Sequence, residues 1–143
     1  MSNLPKRKEI RLKNYDYSSN GCYFVTICTN NKQPFIEEHR QEIEGVLLSL
    51  PTRFIGLGLD YYCLLPTHLH IILILENVKV ALSQIVRTFK ALVTKLTGGK
   101  FFWQRNYYEH VIRTEKALSK IREYIQSNPL VERIRFEQFY ENA

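Results

Sequence analysis

Eight consecutive residues, HLHIILIL (His68–Leu75), carry apolar side chains toward both faces of any strand they form. Side chains alternate along a strand, so His68, His70, Ile72 and Ile74 share one face while Leu69, Ile71, Leu73 and Leu75 share the other. A sheet with one face open to water would place polar residues at 72 and 74. This strand must therefore be covered on both sides. The histidines stand at its start, where the covered run meets the rim.

The flanking segments supply the layers. RFIGLGLDYYCL (Arg53–Leu64) reads as a strand loosened by glycines, and the short link through Pro66 and Thr67 favours an antiparallel hairpin with HLHIILIL. Upstream, CYFVTICT (Cys22–Thr29) is β-branched and aromatic, and EEHRQEIEGVLLSL (Glu37–Leu50) is helix-like with Pro51 as its expected stop. From Ala81 to Thr97, Leu82, Ile85, Val86, Phe89, Leu92, Val93 and Leu96 recur at helical spacing, and Gly98 and Gly99 end the helix. NYYEHVIR (Asn106–Arg113) predicts a fourth strand, and TEKALSKIREYIQSN (Thr114–Asn128) a final amphipathic helix before Pro129. The order βαββαβ predicts an α+β fold, the ferredoxin-like (RRM-like) split βαβ pattern with an antiparallel sheet. The additional C-terminal helix is the one element free to cover the histidine face.

A chain of 143 residues with 45% hydrophobic content is sized for one packed core, which we place at residues 21–143 behind a basic arm at 1–20. Cys22, Cys28 and Cys63 are odd in number and lack CxxC spacing, which argues against a disulfide framework or a zinc ribbon and for a cytoplasmic setting. No run approaches the ~18 apolar residues of a membrane span. The formal net charge is +6. Lys6, Arg7, Lys8, Arg11 and Lys13 cluster in the arm, and no acidic residue separates Glu76 from Glu109 while Lys79, Arg87, Lys90, Lys95, Lys100 and Arg105 fall between them. Such stretches fit a polyanionic partner as well as they fit a solvated face.

Two histidines at i and i+2 on a strand point the same way and can bind one ion, yet hydrogen-bonded histidines at a strand end give the same triplet. In the covering helix Leu118, Ile121 and Ile125 form the core stripe, with Ala117, Tyr124 and Asn128 along one border. An amide oxygen from Asn128 can complete a ligand set, with the Tyr124 hydroxyl beside it. A core tyrosine followed by an ordinary helix stop satisfies the same pattern. His110, whose strand neighbour is Ile112, reads as an inward-facing structural residue. Tyr107 and Tyr108 are expected to pack or stack.

RKEIRLKNYDYSSNGCYFVTICTNN, LPTHLHIIL, FKALVTK and FWQRNYYEHVIRTEKALSKIREYIQSNPL together resemble the REP-associated tyrosine transposases, IS200-like relatives of the HUH single-strand DNA transposases. The resemblance spans nearly the whole chain. It implies that His68, His70 and Asn128 hold a divalent ion, Mg²⁺ or Mn²⁺, and that Tyr124 attacks single-stranded DNA near a hairpin. Lys6, Arg7, Lys8, Arg11, Arg87, Lys90, Arg105 and Arg113 are then expected DNA contacts, and the protein is expected to act as a monomer or homodimer. Thr67 is a departure, since relatives commonly carry Asn before the first histidine. Two rivals stand beside this reading: a non-catalytic RRM-like nucleic-acid-binding module, and a metal phosphodiesterase that uses water in place of Tyr124.

Overall fold

A computed structural model describes residues 20–99 and 102–127. In chain order they form β1 (Gly21–Cys28), a 3₁₀ turn (Asn30–Lys32), α1 (Phe35–Glu38), α2 (Arg40–Arg53), β2 (Leu57–Leu64), β3 (His68–Leu75), α3 (Leu82–Thr97), β4 (Tyr108–Val111) and α4 (Glu115–Ser127). The four strands make one antiparallel sheet in the order β2-β3-β1-β4, the ferredoxin-like arrangement expected from the sequence. No helix among the described residues is long and apolar enough to cross a membrane. The arm at 1–19 and the chain from 128 onward, including Asn128, lie outside the described residues.

Both faces of β3 are covered. Leu69, Ile71, Leu73 and Leu75 join Val25 and Ile27 of β1 and pack on Ile43, Leu47 and Leu50 of α2 and Ile85, Phe89 and Val93 of α3. On the opposite face, Cys22, Phe24 and Ile72 meet Ala117, Leu118, Ile121 and Ile125 of α4, with Ile112 beside them. Full burial of each Leu or Ile contributes roughly 1.5–3 kcal/mol, so this second core is what holds α4 to the sheet. Thr114 caps the helix by accepting a hydrogen bond from the Ala117 N–H at 3.0 Å.

Some boundaries differ from expectation. Pro51 does not stop the first long helix; it sits inside the last turn of α2, which runs to Arg53. So near the end, the missing proline N–H forfeits one intrahelical bond, and the Phe54 N–H still reaches the Leu50 carbonyl at 3.0 Å. The chain also breaks at His39 between α1 and α2, so the segment read as one helix from Glu37 is two. The turn into β2 depends on Gly56, whose φ is +95°; a Cβ there would collide with the Glu76 carbonyl. β2 begins only at Leu57, and β4 is confined to Tyr108–Val111.

Candidate active site

The site is assembled by register. His70 on β3 pairs with Thr26 on β1 and with Cys63 on β2, and Thr26 in turn pairs with Tyr108 on β4. His68 pairs with Cys28 at the end of β1. Alternation puts His68, His70, Thr26 and Tyr108 on the sheet face that α4 covers. The rings of His68 and His70 meet edge to face, 4.8 Å between centroids. Tyr124 of α4 stands edge-on to His70 at 6.0 Å, and Phe24 backs His70 at 5.5 Å.

Each histidine is held by a hydroxyl. Thr26 Oγ1 lies 2.9 Å from His70 Nδ1, and Thr67 Oγ1 lies 3.2 Å from His68 Nδ1. Thr67, the departure from the pattern of relatives, thus occupies a supporting place on the first histidine. The Nε2 atom of His70 is buried and has no hydrogen-bond partner among the described residues. Burial, and secondarily the neighbouring His68, pushes the His70 pKa down to about 3, so its imidazole is neutral. His68 is 8% exposed and His70 2%, which sets the pair just beneath the rim.

The helix carrying Tyr124 is fastened from a second direction. The β2–β3 register shifts between Leu59 and Tyr61, so Asp60 is a bulged residue without a cross-strand partner. Its carboxylate accepts two hydrogen bonds from Arg122, from Nε at 2.8 Å and from Nη2 at 2.7 Å. The Arg122 guanidinium also lies over the Tyr61 ring at 5.4 Å.

The other expected residues are dispersed. Arg87 and Arg105 are exposed, and Arg113 is half-buried between β4 and α4. Lys90 is directed inward: its ammonium donates to the carbonyls of Gln104 (2.8 Å), Arg105 (3.3 Å) and Asn106 (3.4 Å). Its pKa is lowered chiefly by burial, with Cys28 opposing. Tyr107 packs on the larger core and Tyr108 is 54% exposed. His110 is fully buried opposite Phe24, on the histidine face. Sequence reading missed that Tyr108 and His110 share this face. Their period-two spacing was visible, but only the β1–β4 register assigns it to a side.

No protein-family model matches the chain. A Haemophilus influenzae protein described only as uncharacterized is 37% identical, over 87% of this chain and 89% of its own length. A second protein of that organism, named "Putative REP-associated tyrosine transposase", is 25% identical over 83% of this chain and 77% of its own length. Among solved structures, a REP-associated tyrosine transposase bound to a REP hairpin superposes with a TM-score of 0.71 over 87% of this chain and 73% of its own, at 24% identity. In sequence and in fold, the chain is similar to REP-associated tyrosine transposases. A chain from Deinococcus radiodurans described as a "putative transposase" shares the fold, with a TM-score of 0.54, 18% identity, and coverage of 82% of this chain and 96% of its own. In this chain, strand register and the packing of α4 bring His68 and His70 of β3 and Tyr124 of the covering helix together.

Proposed function

We propose that this protein is a REP-associated tyrosine transposase, a metal-dependent single-stranded DNA endonuclease and strand transferase acting near hairpins, with Tyr124 as the nucleophile. The observation that carries the reading is the approach of the Tyr124 ring to His70, whose Nε2 is buried without a partner among the described residues and whose Nδ1 is engaged by Thr26. A neutral imidazole fixed through Nδ1 is suited to binding a cation through Nε2. The donor set fits a divalent ion, Mg²⁺ or Mn²⁺: His68 and His70 would hold it, with Asn128 as the third ligand implied by the family resemblance. When bound, such an ion neutralises charge on a non-bridging phosphate oxygen and polarises the phosphorus.

The chain's own contribution is positioning. α4 keeps Tyr124 partly exposed and beside His70, a position from which it would meet a phosphodiester arriving from solvent. Attack forms the Tyr124 Oη–phosphorus bond and breaks the phosphorus–O3′ bond; the phenolic proton is lost and the departing 3′ oxygen gains one. The product is a 5′-phosphotyrosine and a free 3′ hydroxyl. Because one phosphoester replaces another, a second 3′ hydroxyl can reverse the step, which favours strand transfer over hydrolysis without ATP. A hairpin-bearing substrate is supported by the similar solved structure, which is bound to a REP hairpin.

The RRM-like alternative is disfavoured by α4. Modules of that type use an open sheet face carrying stacking aromatics, whereas here the corresponding face of β1 and β3 is buried under Leu118, Ile121 and Ile125. A water-using phosphodiesterase would keep the histidines and would not depend on Tyr124. Incubating the full chain with Mn²⁺ and a hairpin oligonucleotide bearing unpaired flanks is expected to give an adduct that survives denaturation. Tyr124→Phe is expected to bind the DNA and form none; undiminished adduct in that variant would overturn the assignment.

A further inference from the structure

On the side of the sheet away from α4, a groove of about 520 Å³ runs between α3 and the segment at 102–105. Arg87, Ala91 and Lys95 line one edge at i, i+4 and i+8, Arg105 stands on the other, and Trp103 contributes to the apolar floor. No carboxylate lines it among the described residues. Lys90 braces it from within: by donating to the carbonyls of 104–106 it occupies oxygens that would otherwise repel an anion. The groove's loop wall is tied to the candidate site, because the Gln104 N–H donates to the Cys28 carbonyl at 2.9 Å and Cys28 pairs with His68.

We infer that this groove binds the unpaired strand adjoining the cleaved phosphate, its backbone against Arg87, Lys95 and Arg105 and its bases over Ala91 and Trp103. The inference rests on the proposed DNA-cleaving function and specifies where that substrate lies. An apolar floor between cationic edges favours single strand over duplex, since only unpaired bases have faces to lay on it. A duplex stem would meet the cations alone. Lys90, engaged by three carbonyls, shapes the groove and is not one of its phosphate contacts.

The test compares two hairpin oligonucleotides, one with an unpaired tail and one blunt, by fluorescence anisotropy across a salt series with the full chain. The Arg87→Ala/Lys95→Ala/Arg105→Ala variant changes exposed side chains only. It is expected to weaken tailed-DNA binding by about ten-fold or more and to flatten the salt slope by about two, the value for three phosphates of a single strand. Blunt-hairpin affinity should change by less than about two-fold. Ala91→Glu, also at an exposed position, should weaken tailed-DNA binding while circular dichroism stays unchanged. Unaltered affinity for tailed DNA overturns the inference, and so does an equal loss on the blunt hairpin, which would assign the groove to the stem. Tyr124→Phe, measured alongside, should keep full tail affinity; adduct formation by that variant would remove the nucleophile assignment while leaving the groove result standing.

Discussion

Arg122 of α4 grips Asp60, the bulged residue of β2, through two hydrogen bonds of 2.7 and 2.8 Å. The pair ties the helix that carries Tyr124 to an edge strand of the sheet, two residues from the tyrosine itself. The apolar contacts of Leu118, Ile121 and Ile125 hold α4 down, whereas a bidentate pair also resists sliding and rotation.

Removing one partner should therefore loosen the helix more than it destabilises the protein. Asp60→Ala is expected to cost about 1–2 kcal/mol in denaturant unfolding, between the exposed and buried limits for ion pairs. Amide exchange within α4 should accelerate beyond that global loss. Unchanged stability and unchanged exchange would show that the pair fastens nothing.

Thr26 should matter through His70. Thr26→Val keeps the shape of the side chain and removes the oxygen 2.9 Å from Nδ1, so the imidazole loses the contact that fixes its tautomer and tilt. Mn²⁺ affinity measured by calorimetry should fall by about 10–100-fold. An unaltered affinity would mean that the hydroxyl does not support a ligand.

How far the sequence revealed this arrangement follows from which features are local. The alternation of HLHIILIL announced a strand covered on both sides, and the stripe of Leu118, Ile121 and Ile125 identified the helix that covers the histidines. Period and polarity are written in neighbouring residues. Register is not: the pairing of Thr26 with Tyr108, which brings Tyr108 and His110 onto the histidine face, depends on how two distant strands align. The Asp60 bulge was equally hidden, because nothing adjacent to it reveals an offset against β3. A place on a cationic helix suggests a phosphate contact at Lys90, but the carbonyls that engage it come from residues 104–106, which no neighbouring residue announces. Propensity alone makes Pro51 a helix stop, which the packing of Leu47 and Leu50 outweighs in the final turn.

Cys22 gives a pH signature. Burial under α4, followed by the charge of Asp60, pushes its thiol pKa up to about 12 from an ordinary 9.0. In the unfolded chain the thiol ionises above about 9, while the folded protein keeps the proton, so the unfolded state is favoured as pH rises from about 9 toward 12. Relative to Cys22→Ala, the wild-type chain should lose stability over that window at up to about 1.4 kcal/mol per pH unit. Parallel stability curves for the two proteins across that window would contradict the burial argument.

Tyr124 is proposed to become covalently joined to DNA, and peptide mapping of the trapped adduct reads that bond residue by residue. Trypsin separates the candidates, since cleavage after Arg105 and Arg113 isolates residues 106–113 with Tyr107 and Tyr108, and cleavage after Arg122 and Arg133 isolates residues 123–133 with Tyr124. After nuclease digestion, mass spectrometry should find the residual nucleotide phosphate on the 123–133 peptide, with fragment ions placing it on Tyr124. Modification of the 106–113 peptide, or cleaved DNA carrying no peptide at all, would rule out Tyr124 as the nucleophile.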